Sequence, residues 1–480
     1  MSLRRHQTAS WRRTAVSLLL PIALLSGSCS SADSPTAVSA SPSPSGDIGA
    51  RDSGGGAPTA LSGKTIVGYQ GWFGCPTENG GTSNTARWRH WFSGQTDQAP
   101  YLTVEMLPDV SALEPSALCP TNLRRPDGTP VAVFSSASPR AIDLHFRWMA
   151  QHGIDGAAVQ RFVVSLRNRD ERIRLDAILQ AARTAAESHE RVFYVTYDIS
   201  GADPRTVYDD IRTDWLHLTQ TLKITASRAY LSDAGRPVLQ LWGFGFQDRP
   251  GEPEQVLALI KDLRQGSGQP PGDGRSIGQD SESRPAAVLL VGGVPAGWRR
   301  TQIDSKSGAG WAEVYRSYDV LSPWAVGRYG DAASNQAFVD GNVIPDLVEA
   351  SRTGLGYMPV IFPGFSWANL MKTRGNDRAA IRNQTPRSCG NFLWQQGQSR
   401  LQAGADSLYI AMFDEVDEAT AIMPVVAKQS DLPLGTNLIG LDEDGCELPP
   451  DWYLRVTGAL AGYVKSGQVP PADLSSVVRP

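Results

Sequence analysis

From Thr65 onward, short runs rich in apolar, β-branched and aromatic residues alternate with stretches whose apolar positions recur every three or four residues. The short runs predict strands and the longer-period stretches predict helices, so the chain reads as α/β with a largely parallel sheet. Nine segments carry the strand pattern: 65–73, 101–107, 156–163, 191–197, 237–242, 286–291, 319–324, 357–362 and 407–413. Ser138-Pro139 supplies an N-cap and a first-turn proline for a helix that ends at Gly153. Leu175, Ile178, Leu179 and Ala182 share one helical face, as do Val256, Leu259, Ile260 and Leu263, and residues 452–463 read as a closing helix.

The expected architecture is a (β/α)8 TIM-type barrel with insertions. Nine candidates compete for eight positions, so one is an edge hairpin or an irregular segment. An open doubly wound sheet is the alternative, but it gathers functional residues at one switch point. Here polar and aromatic residues recur after many strands, where a barrel builds its active site. Candidate groove residues are Tyr69, Trp72, Gln160, Arg161, Tyr197, Asp198, Trp242, Trp298, Trp324 and Trp367.

The N-terminus changes the picture of where the chain works. Arg4, Arg5, Arg12 and Arg13 precede an apolar run at 16–25 and the small residues before Cys29. Residues 1–29 therefore read as an export signal, too short to span a bilayer. Cys29 is a candidate lipid-attachment site, giving a cell-surface lipoprotein; cleavage nearby, as after Ala32, would release a secreted protein. Residues 30–62 are Ser, Ala, Pro and Gly rich and read as a flexible tether. Residues 63–480 then form one domain, with a disordered insertion near 265–285. Export permits disulfides among Cys75, Cys119, Cys389 and Cys446. Chain proximity favours Cys75 with Cys119 and Cys389 with Cys446, though four cysteines allow three connectivities.

A net charge of −4 leaves no basic footprint for nucleic acid. Thirteen tryptophans lean toward carbohydrate, since aromatic faces pack on sugar rings. Zinc-protease, hydrolase-elbow and phosphate-loop motifs are absent, and no metal or cofactor is expected. The strongest local signal is the apolar run 407–413 leading into Asp414-Glu-Val-Asp-Glu418. Residues three apart on a strand face opposite ways, so Glu415 and Glu418 share a pocket only if the chain turns after Phe413. Close carboxylates raise one another's pKa, giving the acid and base that glycosidic cleavage needs. A solvated acidic loop and a divalent-cation site are the rival readings of the same residues.

The stretches Val67-Gly-Tyr-Gln-Gly-Trp-Phe73, Phe146-Arg-Trp-Met149 with Gly153-Ile-Asp-Gly156, Gln160-Arg-Phe162, Phe413-Asp-Glu-Val-Asp-Glu418 and Leu448-Pro-Pro-Asp-Trp-Tyr-Leu454 stand in one order. In them the chain resembles glycoside hydrolase family 71/99-like proteins, relatives of endo-α-mannosidases. That resemblance implies a (β/α)8 barrel that acts on α-linked sugars with retention and without metal. It also implies that Glu415 deprotonates the sugar 2-hydroxyl while Glu418 protonates the leaving oxygen. The mannosidase branch reads closer to Asn-Glu-Trp-His-Glu where this chain has Val416-Asp417 between its glutamates. Some exported bacterial relatives carry xylosidase labels. A carbohydrate-binding surface lipoprotein without catalysis is the alternative on the same scaffold.

Overall fold

Eight parallel staves follow one another around the sheet in chain order, and the last pairs with the first. The computed structural model describes residues 58–76, 87–94, 96–266 and 286–480, all within one compact unit that begins at Gly54. The stretch read as an export signal, Cys29, most of the stretch read as a tether, and nearly all of the expected insertion near 265–285 lie outside the described residues. The first described turn, at 59–63, already buries Leu61.

The staves are β1 (Thr65–Tyr69), β4 (Gly156–Phe162), β5 (Val192–Asp198), β7 (Arg236–Trp242), β8 (Leu289–Gly293), β9 (Val320–Leu321), a split strand and β12 (Leu408–Ile410). The split strand consists of β10 (Gly356–Tyr357), which pairs with β9, and β11 (Val360–Ile361), which pairs with β12. Because β12 also pairs in parallel with β1, the sheet closes through the stretch 356–361. This is the (β/α)8 barrel that the alternating pattern predicts.

Two strand pairs lie outside the barrel. A hairpin of β2 (Leu118–Arg124) and β3 (Pro130–Phe134) is inserted after β1, and β6 (Ser232–Asp233) folds back on β7. The segment 101–107, read as a strand, is the ninth candidate and belongs to no ladder. Its pattern is real, since Leu102 through Leu107 are all buried. Its amides bond elsewhere: Thr103 to Trp91, and Glu105 and Met106 both to the Val416 carbonyl. Burial of an extended segment satisfied by irregular partners gives the same sequence signature as a strand.

The helices form where their periodicity directs, although Ser138, at the N-cap position of the first, makes no side-chain capping bond. In α1 (Pro139–Gln151), Ala141, Ile142, Leu144, His145, Phe146 and Met149 are buried. The chain leaves that helix through Gly153 at φ +72, a left-handed geometry that glycine adopts without Cβ strain. In α2 (Arg169–His189) the Asn168 side chain accepts from the amides of Asp170 and Glu171, capping the orphan donors of the first turn. The predicted closing helix forms over Trp452–Ser466. Disulfides join Cys75 to Cys119 and Cys389 to Cys446, the pairings that chain proximity favours. The first ties the chain beyond β1 to the inserted hairpin. Among the described residues, no helix is long and apolar enough to cross a membrane.

Candidate active site

The acidic run follows β12 directly and lies on a reversal of the chain. Phe413 still bonds to Gly68 of β1, after which the amides of Thr420 and Ala421 return to the Glu415 carbonyl. Ile422 then bonds back to Met412. The chain therefore turns after Phe413, and this turn holds the four acids together. Asp414 is fully buried and accepts from the amides of Gln70 and Gly71 at 2.8 and 2.9 Å. It pins the turn after β1, where Gly71 has φ +64.

Glu415 is buried and receives two hydrogen bonds, from Gln70 Nε2 at 2.7 Å and Thr420 Oγ1 at 2.6 Å. Glu418 is half-buried, and its carboxylate has no hydrogen-bond partner among the described residues. Burial holds both carboxyls above the usual carboxylate range. The neighbouring charges of Glu418 and Asp417 add to the rise at Glu415, and Asp417 and Glu105 add to it at Glu418. Arg374 opposes the rise at Glu418. The two environments differ in kind. Donors to a carboxylate favour its anion, each charge-assisted bond contributing about 1.5–3 kcal/mol. Glu415 is the more deeply buried of the two, and its two donors are what equip it to carry the negative charge of a base. Glu418, without donors, is the better proton carrier.

The other acids form a ring around this pair. Glu105 is buried and accepts from Ser366 Oγ at 2.6 Å and the Asn369 amide at 2.5 Å, while burial pushes it up to about 7. Burial likewise raises Asp414 to about 7. Asp417 is buried, with one oxygen 3.2 Å from His90 Nδ1 and the other without a partner. Tyr409 of β12 points among the acids: after burial, the charges of Glu415, Asp198 and Asp414 push its hydroxyl up further. Among the described residues, no group of three or more His, Cys, Asp or Glu side chains is arranged to hold a metal ion.

Raised carboxyls make stability depend on pH. Asp414 and Glu105 ionise near pH 4 in the unfolded chain and near 7 in the fold, so the folded state holds more protons across that interval. Stability is therefore highest below about pH 4 as far as these two groups decide it, and falls as pH rises to about 7. Every tenfold gain in a carboxyl's proton affinity on folding adds ~1.4 kcal/mol to that fall. A series of melting temperatures from pH 4 to 8 should fall across this window, and Asp414→Asn should flatten the slope. A slope identical to the parent's in that variant would contradict the assignment.

The barrel matches that of a family 99 endo-α-mannosidase. The GH99 endo-alpha-mannosidase from Bacteroides thetaiotaomicron superposes with a TM-score of 0.56 at 15% sequence identity, covering 85% of this chain and 99% of that one. Its complex with BIS-TRIS-propane gives the same TM-score at 16% identity, covering 85% and 98%. At such identities the likeness concerns the fold. No family model matches the sequence, and a search of curated proteins finds no match.

The structure brings some of the sequence-selected residues to the acid pair and sends others away. Gln160, Asp198 and Trp242 lie at the ends of neighbouring staves, where Phe162 pairs with Asp198 and Asp198 with Trp242. Trp242 meets Trp324 edge-on at 5.3 Å, with Arg249 over its ring, so the two half-buried indoles form one rim. Buried polar atoms without partners recur at this end: Gln70 Oε1, Trp72 Nε1, Gln160 Oε1, Trp242 Nε1 and Trp367 Nε1. Such atoms are the kind that ligand hydroxyls satisfy.

Tyr69, Arg161 and Tyr197 lie instead between the staves and the helix layer. Tyr69 bonds His145 of α1 at 2.9 Å. Arg161 pairs with Asp214 and Asp176, and Tyr197 shares Asp214 at 2.7 Å. Trp298 is fully buried, with Nε1 on Asp346 and Arg316 over its ring. His145 is packed, and burial lowers it to about 3. Three residues close to the pair carry no motif that marked them: Thr420, Arg387 and His90. The aromatic stretch Trp88-Arg-His-Trp-Phe92 is the one signal that could have drawn attention to the last.

Proposed function

We propose that the protein is an exported glycoside hydrolase that cleaves α-linked glycans with Glu415 as base and Glu418 as acid. One observation carries the reading: two neighbouring raised carboxyls follow a barrel stave, one held by two donors and the other free of partners. That is a base and an acid supplied by the chain itself, at the end of the barrel where active sites are built. The family resemblance adds the route. Glu415 takes the proton of the sugar 2-hydroxyl, whose oxygen attacks the anomeric carbon. Glu418 gives its proton to the departing glycosidic oxygen. Glu418 then removes a proton from water, which opens the three-membered ring at the anomeric carbon, and Glu415 returns its proton to the 2-oxygen. Two inversions give net retention, and no metal is required.

The endo-α-mannosidase with the matching barrel makes α-mannosides the first class to try. In a panel of α-linked oligosaccharides and polysaccharides, α-mannan should yield new reducing ends, and the first product should keep the α-configuration by NMR. A glycan that is retained but never cut would replace this reading with the non-catalytic binder. A panel neither bound nor cut would remove both.

A further inference from the structure

The sequence points to Trp72 as a sugar platform, but in the structure its half-buried indole is covered by other rings. His90 stacks on it at 4.2 Å with only 6° between the planes, and Phe162 stacks at 5.4 Å. His90 and Phe162 make no ring contact with each other among the described residues, so Trp72 is the middle layer. The open end is His90, whose side chain is 42% exposed.

Two further features fix that imidazole. Nδ1 lies 3.2 Å from Asp417 Oδ2, and Asp417 sits between Glu415 and Glu418 in the chain and raises both electrostatically. A carboxylate can only accept here, so Nδ1 carries the hydrogen. In the neutral ring Nε2 is then an acceptor, and it has no partner among the described residues. The backbone at His90 is left-handed, φ +57, an unusual state for a residue with a Cβ. The Thr103 hydroxyl donates to the His90 carbonyl, and the neighbouring Arg89 exchanges backbone bonds with Gly74. Strain held by this many partners at the edge of a site points to a functional constraint.

We infer that His90 is a specificity-determining residue: its outer face stacks on a pyranose next to the bond being cleaved, and Nε2 accepts a hydrogen bond from one of that sugar's hydroxyls. The inference rests on the hydrolase reading for the substrate class, but not for the contact itself. Asp417 holds the ring in place and sets which nitrogen faces the ligand. An uncharged sugar with a free hydroxyl at that position is the fitting partner.

The test measures binding of α-manno-oligosaccharides by calorimetry in a Glu418→Gln background, where ligand is held and not turned over. His90→Asn keeps a residue tolerant of the left-handed backbone and removes the ring; His90→Phe keeps the ring. The asparagine variant should weaken binding about five- to tenfold, and the phenylalanine variant by no more than about threefold. Melting temperatures within a few degrees of the parent establish that both fold. An asparagine variant that binds within twofold of the parent overturns the inference, as does a phenylalanine variant that loses as much as asparagine. If the unaltered protein cleaves the glycan while His90→Asn binds it normally, this inference falls and the hydrolase reading stands. If the glycan is bound through His90 but never cut, the reverse holds. No binding by the parent overturns both.

Discussion

Glu418→Gln should lower hydrolysis of a natural glycan by ~10²–10⁴-fold, the usual contribution of a positioned general acid, while the fold persists. On an aryl glycoside whose leaving group needs no proton, the first step should be largely recovered and appear as a burst of aglycone, while the attack of water, which Glu418 also assists, stays slow. Glu415→Gln should lose a comparable factor and recover nothing on the activated substrate, because the proton it removes belongs to the sugar. The pH profile separates the two further. In the parent, activity needs Glu415 ionised and Glu418 protonated, and both are raised above ordinary carboxylates. The bell should therefore sit at higher pH than a solvated pair would give, and Glu418→Gln should erase its alkaline limb. Glu418→Gln exchanges one neutral group for another and should leave stability close to the parent's, and in Glu415→Gln the relief of charge repulsion is offset by an amide facing one of the two donors. Full activity in both variants would leave the proposed chemistry without its acid and base.

Arg387→Ala should cost about 2–5 kcal/mol in stability and about ten- to hundredfold in kcat, with a smaller change in KM. Arg387 is buried, lies over the Tyr453 ring at 4.3 Å, and donates from Nη2 to the carbonyls of Ala419 and Ala421 at 2.8 and 2.7 Å. Those carbonyls flank Thr420, whose hydroxyl holds Glu415. Ala419 sits at φ +53, so this stretch keeps its shape under tension. Removing the guanidinium leaves two buried acceptors unpaired and releases the donor to the base. Arg387→Lys, with an ammonium able to reach one carbonyl, should recover part of both losses. Thr420→Val should reproduce the kinetic effect with little loss of stability. If Arg387→Ala unfolds at the parent's temperature and turns over at the parent's rate, the clamp has no role.

Most of the barrel was legible because its signal is local. Eight of the nine apolar runs are staves, and the helices between them announce themselves through spacing and through ends such as Pro139 and Gly153. The ninth run, 101–107, shows the limit: apolar periodicity reports burial, and the pairing of backbone groups is a tertiary fact. The hairpin of β2 and β3 was missed although its turn is written as Arg125-Pro-Asp-Gly128 between two apolar segments. Its Cys119-Pro120 start and polar alternate residues keep it from matching the apolar strand pattern.

The candidate site was legible to the extent that it is contiguous. Asp414 to Glu418 stand together in the chain, but the donors that tell the two glutamates apart come from Gln70 and Thr420. At strand ends, the residue type alone did not tell which wall a side chain joins. Tyr69, Arg161 and Tyr197 are one residue away from Gly68 or Gln70, Gln160 and Asp198, and neighbours on a strand face opposite sides. Parity along each stave therefore decided which residues met the acids. His90 lies outside every stave, so no strand-end rule could reach it.

The split in the stave at 356–361 gives the barrel a preferred line of weakness. Its first half is bonded to β9 and its second half to β12, so no residue of the stave pairs with both neighbours. On the other flank β12 is joined to β1 through Thr65, Ile66 and Val67, and Gln70 beyond them grips Glu415. The Glu418 carbonyl is bonded by the Ser366 amide, which follows β11 on the same side of the split. An opening of the cylinder along this line would therefore leave both glutamates together on the flank formed by β11, β12 and β1. The weakest seam of the wall thus runs beside the acid pair and leaves the spacing of its two carboxyls to the turn that carries them.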